Sequence, residues 1–96
     1  MEGMQIAHTE SGGRGEYRAT LPDGTRAGVL TYQRHDDTMI ATHTLVPGEM
    51  QGRGIAGHLV ARLVADARAQ GWKIVPQCSY VAMAFGRHPE WADLRA

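Results

Sequence analysis

One long stretch of the sequence has the apolar periodicity of an amphipathic helix. From Ile55 onward the apolar residues recur at spacings of three and four, at Ala56, Leu59, Val60, Leu63, Val64 and Ala67. Gly71 follows Gln70 and supplies the left-handed conformation that commonly ends a helix. Extended segments lie on both sides of this helix, so a strand, a helix and a parallel strand are predicted in sequence, with a right-handed crossover.

The first half of the chain predicts three antiparallel strands. Residues 16–21, 26–34 and 39–46 are alternating or β-branched, as in half-buried strands. Pro22-Asp23-Gly24 is a turn, because proline presets φ, aspartate caps its own backbone and glycine accepts positive φ. The glycine-rich stretch Glu10 to Gly15 has no apolar periodicity and is interpreted as a loop before the first strand.

The second half predicts a fourth strand and two short helices. Trp72 to Pro76 is extended and should pair in parallel with the third strand. Ser79 is a candidate N-cap for a helix over 80–85 that stops at Gly86, and a last helical turn is expected over 89–94. The fold class is therefore α/β, an antiparallel three-strand meander followed by a β-α-β unit.

The length and charge of the chain restrict its function. We expect residues 1–96 to form a single domain. Ten Lys plus Arg balance ten Asp plus Glu, so no general field attracts nucleic acid or an anionic membrane, and a phosphate-bearing ligand must be held locally. The single cysteine and the absence of an apolar leader favour a cytoplasmic protein, and we expect no metal ion.

The stretch Gln51 to Ala56 is the most informative motif, because it lies between a strand and the start of the long helix. Unpaired N–H groups and the helix dipole attract anions there, and small residues let a phosphate approach. The alternative is a tight turn without a ligand. The stretch lacks the GxxxxGK[ST] pattern and the GxGxxG pattern, so ATP and NAD are poorer candidates.

The pattern Gln51-x-x-Gly54-x-Ala56 resembles the pyrophosphate loop of the GNAT acyltransferase superfamily. The chain is most similar to small, stand-alone GNAT-like N-acetyltransferases of minimal, single-domain form. The residues that carry this resemblance are four motifs in order, at Ile40 to Pro47, Gly52 to Ala56, Val75 to Val81 and Arg87 to Trp91.

The resemblance implies transfer of an acetyl group from acetyl-coenzyme A to an amine acceptor of unknown identity. Backbone groups of Leu45 and Val46 would pair with the pantetheine arm. The amides that would bind the pyrophosphate are those of Gln51, Gly52, Arg53, Gly54, Ile55 and Ala56.

Two residues are candidates for the chemistry. Cys78 follows the strand after the helix, near the expected thioester, where a thiolate would accept an acyl group; the alternative is an unreactive packed cysteine. His43, expected to share a face with Ala41 and Leu45, would deprotonate an amine or Cys78; the alternative is a packed histidine. Tyr80 is a possible acid for the leaving thiolate or a core aromatic.

Larger GNAT enzymes place helices between their first two strands to form the acceptor wall, whereas here only a turn joins Leu21 to Thr25. An open acceptor side is also compatible with a non-catalytic module that binds or senses acyl-coenzyme A. A plain interaction domain is the third hypothesis.

Overall fold

The computed structural model describes residues 3–96, which form a five-stranded mixed sheet and two α-helices. The strands are β1 (Gln5–Ser11), β2 (Arg14–Thr20), β3 (Arg26–His35), β4 (Thr38–Leu45) and β5 (Lys73–Pro76). The helices are α1 (Ile55–Gln70) and α2 (Ser79–Arg87), with 3-10 helices at Gly48–Met50 and Pro89–Leu94. Strand order is β1-β2-β3-β4-β5, with β4 and β5 parallel and the other pairs antiparallel. The predicted α/β class is confirmed.

The interpretation of Glu10 to Gly15 as a loop is wrong, because this stretch is the closed end of a hairpin between β1 and β2. Gly12 and Gly13 have φ values of 60° and 77°, as a two-residue hairpin turn requires, and Ser11 pairs with Arg14. The meander therefore has four strands. The missed strand β1 is exposed at almost every position, so it has little apolar periodicity to recognise.

The hydrophobic core lies between α1 and one face of the sheet. The predicted amphipathic helix is confirmed, and Gly71 ends it at φ 74°. The residues that α1 buries are Ile55, Leu59, Val60, Leu63, Val64 and Ala67. Gly28 of β3 lets the start of α1 pack close to the sheet, because a Cβ there would lie 3.1 Å from Ile55 Cγ2 and 3.2 Å from Val46 Cγ2. We call the opposite side of the sheet the open face.

A β-bulge in β4 decides which side chains reach the open face. Tyr32 pairs with Ala41 but Thr31 pairs with His43, so Thr42 is an extra residue in β4. Its Oγ1 lies 2.8 Å from Thr31 Oγ1, which places both threonines on the same face. Thr42 and His43 therefore lie on the open face.

The bulge also changes the alternation that the sequence predicted. His43 shares the open face with Leu45, as expected, but Ala41 is fully buried on the helix side, so that half of the expectation is wrong. Thr44 pairs with the buried Leu30 and therefore lies on the helix side.

Strands β4 and β5 separate partway along β4. Their pairing runs from Thr38 with Lys73 to Ala41 with Pro76, after which the Cys78 amide donates to the Ala41 carbonyl at 2.8 Å. Beyond this point β4 continues to Leu45 paired with β3 but without a strand on its β5 side among residues 3–96. This exposed backbone edge opens a cleft that faces the start of α1.

The second helix begins and ends differently from the prediction. Cys78, with extended backbone, is the N-cap of α2, and Ser79 is its first helical residue. Gly86 does not stop the helix, which continues to Arg87, since a glycine lowers helix stability by only about 1 kcal/mol and nearby packing outweighs this. No helix within residues 3–96 combines the length and apolarity needed to cross a membrane.

A polar cluster fixes the edge strand β1 to β3 across the intervening β2. Arg34 of β3 contacts Glu10 of β1 through Nη2–Oε2 at 2.7 Å, and the Tyr32 hydroxyl donates to Glu10 Oε1 at 2.8 Å. Tyr32 reaches Glu10 by crossing Gly15, where any Cβ would overlap its ring. His8 Nε2 lies 2.6 Å from the same hydroxyl and must donate, because the phenol has already used its one proton.

The carboxylate of Glu10 should make the stability of the fold depend on acidic pH. Hydrogen bonds from Arg34 and from Tyr32 lower its pKa from 4.5 to about 2. Because the folded-state pKa is depressed, the stabilisation is complete above about pH 4.5 and is lost as the pH falls toward 2.

We therefore predict that Glu10→Gln lowers the free energy of unfolding at neutral pH by about 1 kcal/mol. The difference from the parent should shrink as the pH falls below about 4.5. Urea unfolding at several pH values measures the free energy of unfolding and its dependence on pH. Glu49→Gln, at an exposed position of a 3-10 helix, is the control. A difference that is the same at every pH would contradict the assigned role of the carboxylate.

Candidate active site

A cavity of about 330 Å³ lies where the β4 edge meets the start of α1. Its walls include Thr44 and Val46 at the end of β4, Met50 of the first 3-10 helix, the loop and helix start at 51–56, and Tyr80 of α2. Four separate elements thus converge on one space. It contains most of the loop that the sequence indicated as an anion site.

The loop has the conformation expected of an anion-binding helix start. Gly52 and Gly54 have φ values of 79° and 78°, and a Cβ on either would meet nothing within 4 Å, so conformation rather than crowding requires glycine. Gly54 is the N-cap of α1, no side chain caps the helix, and its first turn carries no acidic residue. The first N–H groups of α1 and its dipole therefore favour a phosphate.

Gln51 links this loop to β4, because its Nε2 donates to the Val46 carbonyl at 3.2 Å. Of the two residues predicted to pair with pantetheine, Val46 lines the cavity, whereas the Leu45 side chain is 67% exposed on the open face. Only the backbone of Leu45 is thus available to the cavity side. Arg53 is exposed at the loop apex.

Cys78 lies beside the cavity, half-buried, with its Sγ 3.5 Å from Thr44 Oγ1. Partial burial acts to raise the pKa of the thiol, but hydrogen bonds from the Thr44 hydroxyl and from the backbone N–H groups of Val81 and Tyr80 stabilise the thiolate. Their combined effect is larger, so the pKa of Cys78 lies below its usual value. A thiol at a helix N-terminus with this environment is suited to act as a nucleophile.

The structure does not bring His43 and Cys78 together. Cys78 contacts Thr44 on the helix side of β4, whereas His43 is exposed and pairs with Thr31 on the open face. His43 therefore cannot activate the Cys78 thiol directly. An amine that approached the cleft from the open face would meet His43.

Sequence reasoning missed Thr44 and Met50 as lining residues and left Tyr80 undecided. Tyr80 lines the cavity, and its hydroxyl lies 3.8 Å from the position that a Cβ on Gly57 of α1 would take. Thr44 could have been found only by recognising the bulge, which reverses the alternation of β4. Met50 gave no signal, since an isolated methionine in a turn has no periodicity.

Comparisons with known proteins identify the family and show similar folds. The family model of the GCN5-related N-acetyl-transferases matches residues 16–94. The solution structure of a GCN5-like protein from Staphylococcus aureus is similar over 100% of this chain and 91% of that chain, with a TM-score of 0.74 and 22% identity.

Two further solved structures are similar to this chain in fold. A GNAT family acetyltransferase from Elizabethkingia anophelis with acetyl-CoA bound matches 93% of this chain and 76% of its own, with a TM-score of 0.69 and 14% identity. An IAA acetyltransferase from Bacillus cereus matches 88% and 74%, with a TM-score of 0.65 and 18% identity. Because the family model covers most of the sequence, this chain belongs to the GCN5-related N-acetyltransferase (GNAT) family.

Proposed function

We propose that this protein is an N-acetyltransferase that binds acetyl-coenzyme A in the cleft between β4 and α1 and passes the acetyl group to an amine. The observation that carries the proposal is the unpaired β4 edge ending at an uncapped, glycine-led helix start. The relative from Elizabethkingia anophelis has acetyl-CoA bound, which supports the same ligand here.

The cofactor would use backbone groups more than side chains. The amide groups of the pantetheine arm would hydrogen-bond the free edge of β4 at Leu45 and Val46, as an added strand does. The pyrophosphate would accept hydrogen bonds from the amides of Gln51 to Ala56, where no carboxylate opposes it in the first helical turn. Arg53 would add charge from the loop apex.

This placement puts the thioester beside Thr44 and Cys78. In direct transfer, the amine nitrogen attacks the thioester carbonyl carbon, the new C–N bond forms, and the C–S bond breaks to release the coenzyme A thiolate. The proton of the attacking amine passes to His43, which faces the side from which the amine would come. Tyr80, at the cavity wall, is the candidate donor to the leaving thiolate.

Cys78 supports a second route. Its depressed pKa and its place beside the cavity favour attack on the thioester carbon, which would form an acetyl–Sγ bond, break the C–S bond to coenzyme A and release the coenzyme A thiolate. An amine would then take the acetyl group and release the Cys78 thiolate. We favour direct transfer, because His43 cannot reach the Cys78 thiol to assist an acyl-enzyme step, whereas it faces an incoming amine. In direct transfer, Cys78 would contact the thioester end of the cofactor.

A non-catalytic acyl-coenzyme A binding module is the alternative function. It is favoured by the five-residue connection between β2 and β3, which provides no acceptor wall. Both functions require the cofactor, and only the enzyme requires His43.

Acetyl-coenzyme A at 100 times its Kd should stabilise the fold by about 2.7 kcal/mol.

Gly54→Ala should weaken binding by about tenfold, equivalent to about 1.4 kcal/mol, because a Cβ disfavours the left-handed N-cap that orients the amides. The matched control is Gly24→Ala, which also has positive φ (88°) but lies in a turn far from the cavity. Titration calorimetry measures the affinities. An absence of binding at millimolar cofactor, or equal loss in both variants, would refute the site.

Direct transfer predicts that His43→Gln lowers kcat/KM for an amine by about 100-fold while leaving acetyl-coenzyme A affinity intact. Cys78→Ala should lower the rate by much less, and intact-mass measurement after cofactor treatment should find no acetyl group on Cys78. The rates are measured from the release of free coenzyme A thiol. An acetylated Cys78 combined with an inactive Cys78→Ala variant would establish the acyl-enzyme route instead.

A further inference from the structure

A second cavity, of about 450 Å³, lies on the open face of the sheet, across from the core. Its side-chain walls come from all four strands of the meander and are polar, and we call it the trough. Residues that line it include Thr9, Arg14, Glu16, Thr31, Gln33 and Thr42. The side chains that line it are polar or charged, which favours a small hydrophilic ligand.

Strand pairing arranges the trough in two cross-strand rows. In one row Glu16 pairs with Thr31, and Thr31 pairs with His43. In the neighbouring row Arg14 pairs with Gln33. Side chains in one row lie about 5 Å apart, and the two rows are about 7 Å apart along the strands. The row with Glu16 is therefore also the row with the candidate base.

The two rows carry opposite charges that a ligand can reach. Arg18 contacts Glu16 through Nε at 3.0 Å and Nη2 at 2.7 Å, but both contacts use Oε2, which leaves Oε1 for a ligand. Arg14 forms no ion pair or hydrogen bond through its side chain with the described part of the chain, residues 3–96. A carboxylate and a guanidinium carried by residues whose backbones lie about 7 Å apart along β2 match a molecule with an ammonium group at one end and an anionic group at the other.

The trough adjoins the cofactor cavity through β4. Thr42 lines the trough, whereas Thr44, two residues farther along the strand, lines the cofactor cavity on the helix side. Two residues of strand span about 7 Å, and the β5 side of this segment has no strand beside it among residues 3–96. Because Thr31 pairs with both Glu16 and His43, an ammonium group above Thr31 lies between them. It is then about 5 Å, one strand spacing, from the β4 segment that the thioester would approach from the other side.

We infer that the trough binds the acetyl acceptor and that this acceptor is a small zwitterionic amine of the amino acid class. Its ammonium group lies in the row of Glu16 and His43, and its carboxylate accepts hydrogen bonds from Arg14 in the neighbouring row. This inference rests on the proposed acetyltransferase function, whose substrate class it names. Arg14 is thereby a specificity-determining residue, since it recognises the end of the acceptor that does not react.

The test compares γ-aminobutyrate with n-propylamine, which is the same amine without the carboxylate. The parent should prefer γ-aminobutyrate in kcat/KM by at least about tenfold, equivalent to about 1.4 kcal/mol. Arg14→Gln should bring this preference close to unity, by lowering kcat/KM for γ-aminobutyrate much more than kcat/KM for n-propylamine. The matched control is Arg26→Gln, since Arg26 borders a separate, smaller cavity at the other end of β3 and should keep the preference.

Binding is measured independently of catalysis by titrating the isotope-labelled protein with γ-aminobutyrate and following backbone amide signals. Shifts at Thr9, Thr31 and Gln33 that disappear in Arg14→Gln support the inference. Shifts confined to the cofactor cavity, or an equal preference in the parent and Arg14→Gln, overturn it. Calorimetry with acetyl-coenzyme A on the same samples separates the two proposals. Failure of the cofactor to bind refutes the proposed function, whereas cofactor binding without shifts at the trough refutes only the acceptor site.

Discussion

Beyond Ala41 and Pro76 the parallel strands β4 and β5 separate, and the backbone edge of β4 continues without a hydrogen-bonding neighbour among residues 3–96. Unpaired backbone N–H and C=O groups need hydrogen-bond partners, so such an edge is stable only beside water or a ligand that supplies those partners. The first turn of α1 has a similar need, because Gly54 provides no capping side chain. Unpaired backbone groups of a strand and of a helix thus face the same cavity.

Sequence patterns predicted the helix α1 and the turns of the fold well, because these parts depend on neighbouring residues in the sequence. The spacing of apolar residues in α1, its glycine stop at Gly71 and the turn at Pro22 to Gly24 are each determined by a few neighbouring residues. The placement of Gln51 to Ala56 between a strand and a helix follows from the same rules. The structure has a cavity at that loop, so the stretch that the sequence indicated as an anion site borders a space that a ligand could enter.

The features that were missed depend on contacts between distant strands. Gly15 looks like part of a loop in the sequence, yet it lies within β2 because the Tyr32 ring takes the place of its side chain. The bulge at Thr42 is equally invisible, since nothing local distinguishes Thr42 from its neighbours in a β-branched strand. That one inserted residue places Thr44 on the helix side and His43 on the open face. Alternation counted along the chain cannot detect such a reversal.

The bulge also explains how both sides of β4 can border a cavity without a second layer of helices among residues 3–96. A regular β4 would place Thr42 and Thr44 on the same face, and the side chains near the end of the strand would serve only one side of the sheet. With the bulge, Thr42 lines the trough while Thr44 contacts Cys78 beside the cofactor cavity. The two sides of one strand segment thereby become chemically different. A sheet uncovered on one face, which otherwise leaves this small fold with less buried area, exposes the side of β4 from which the proposed acceptor would approach.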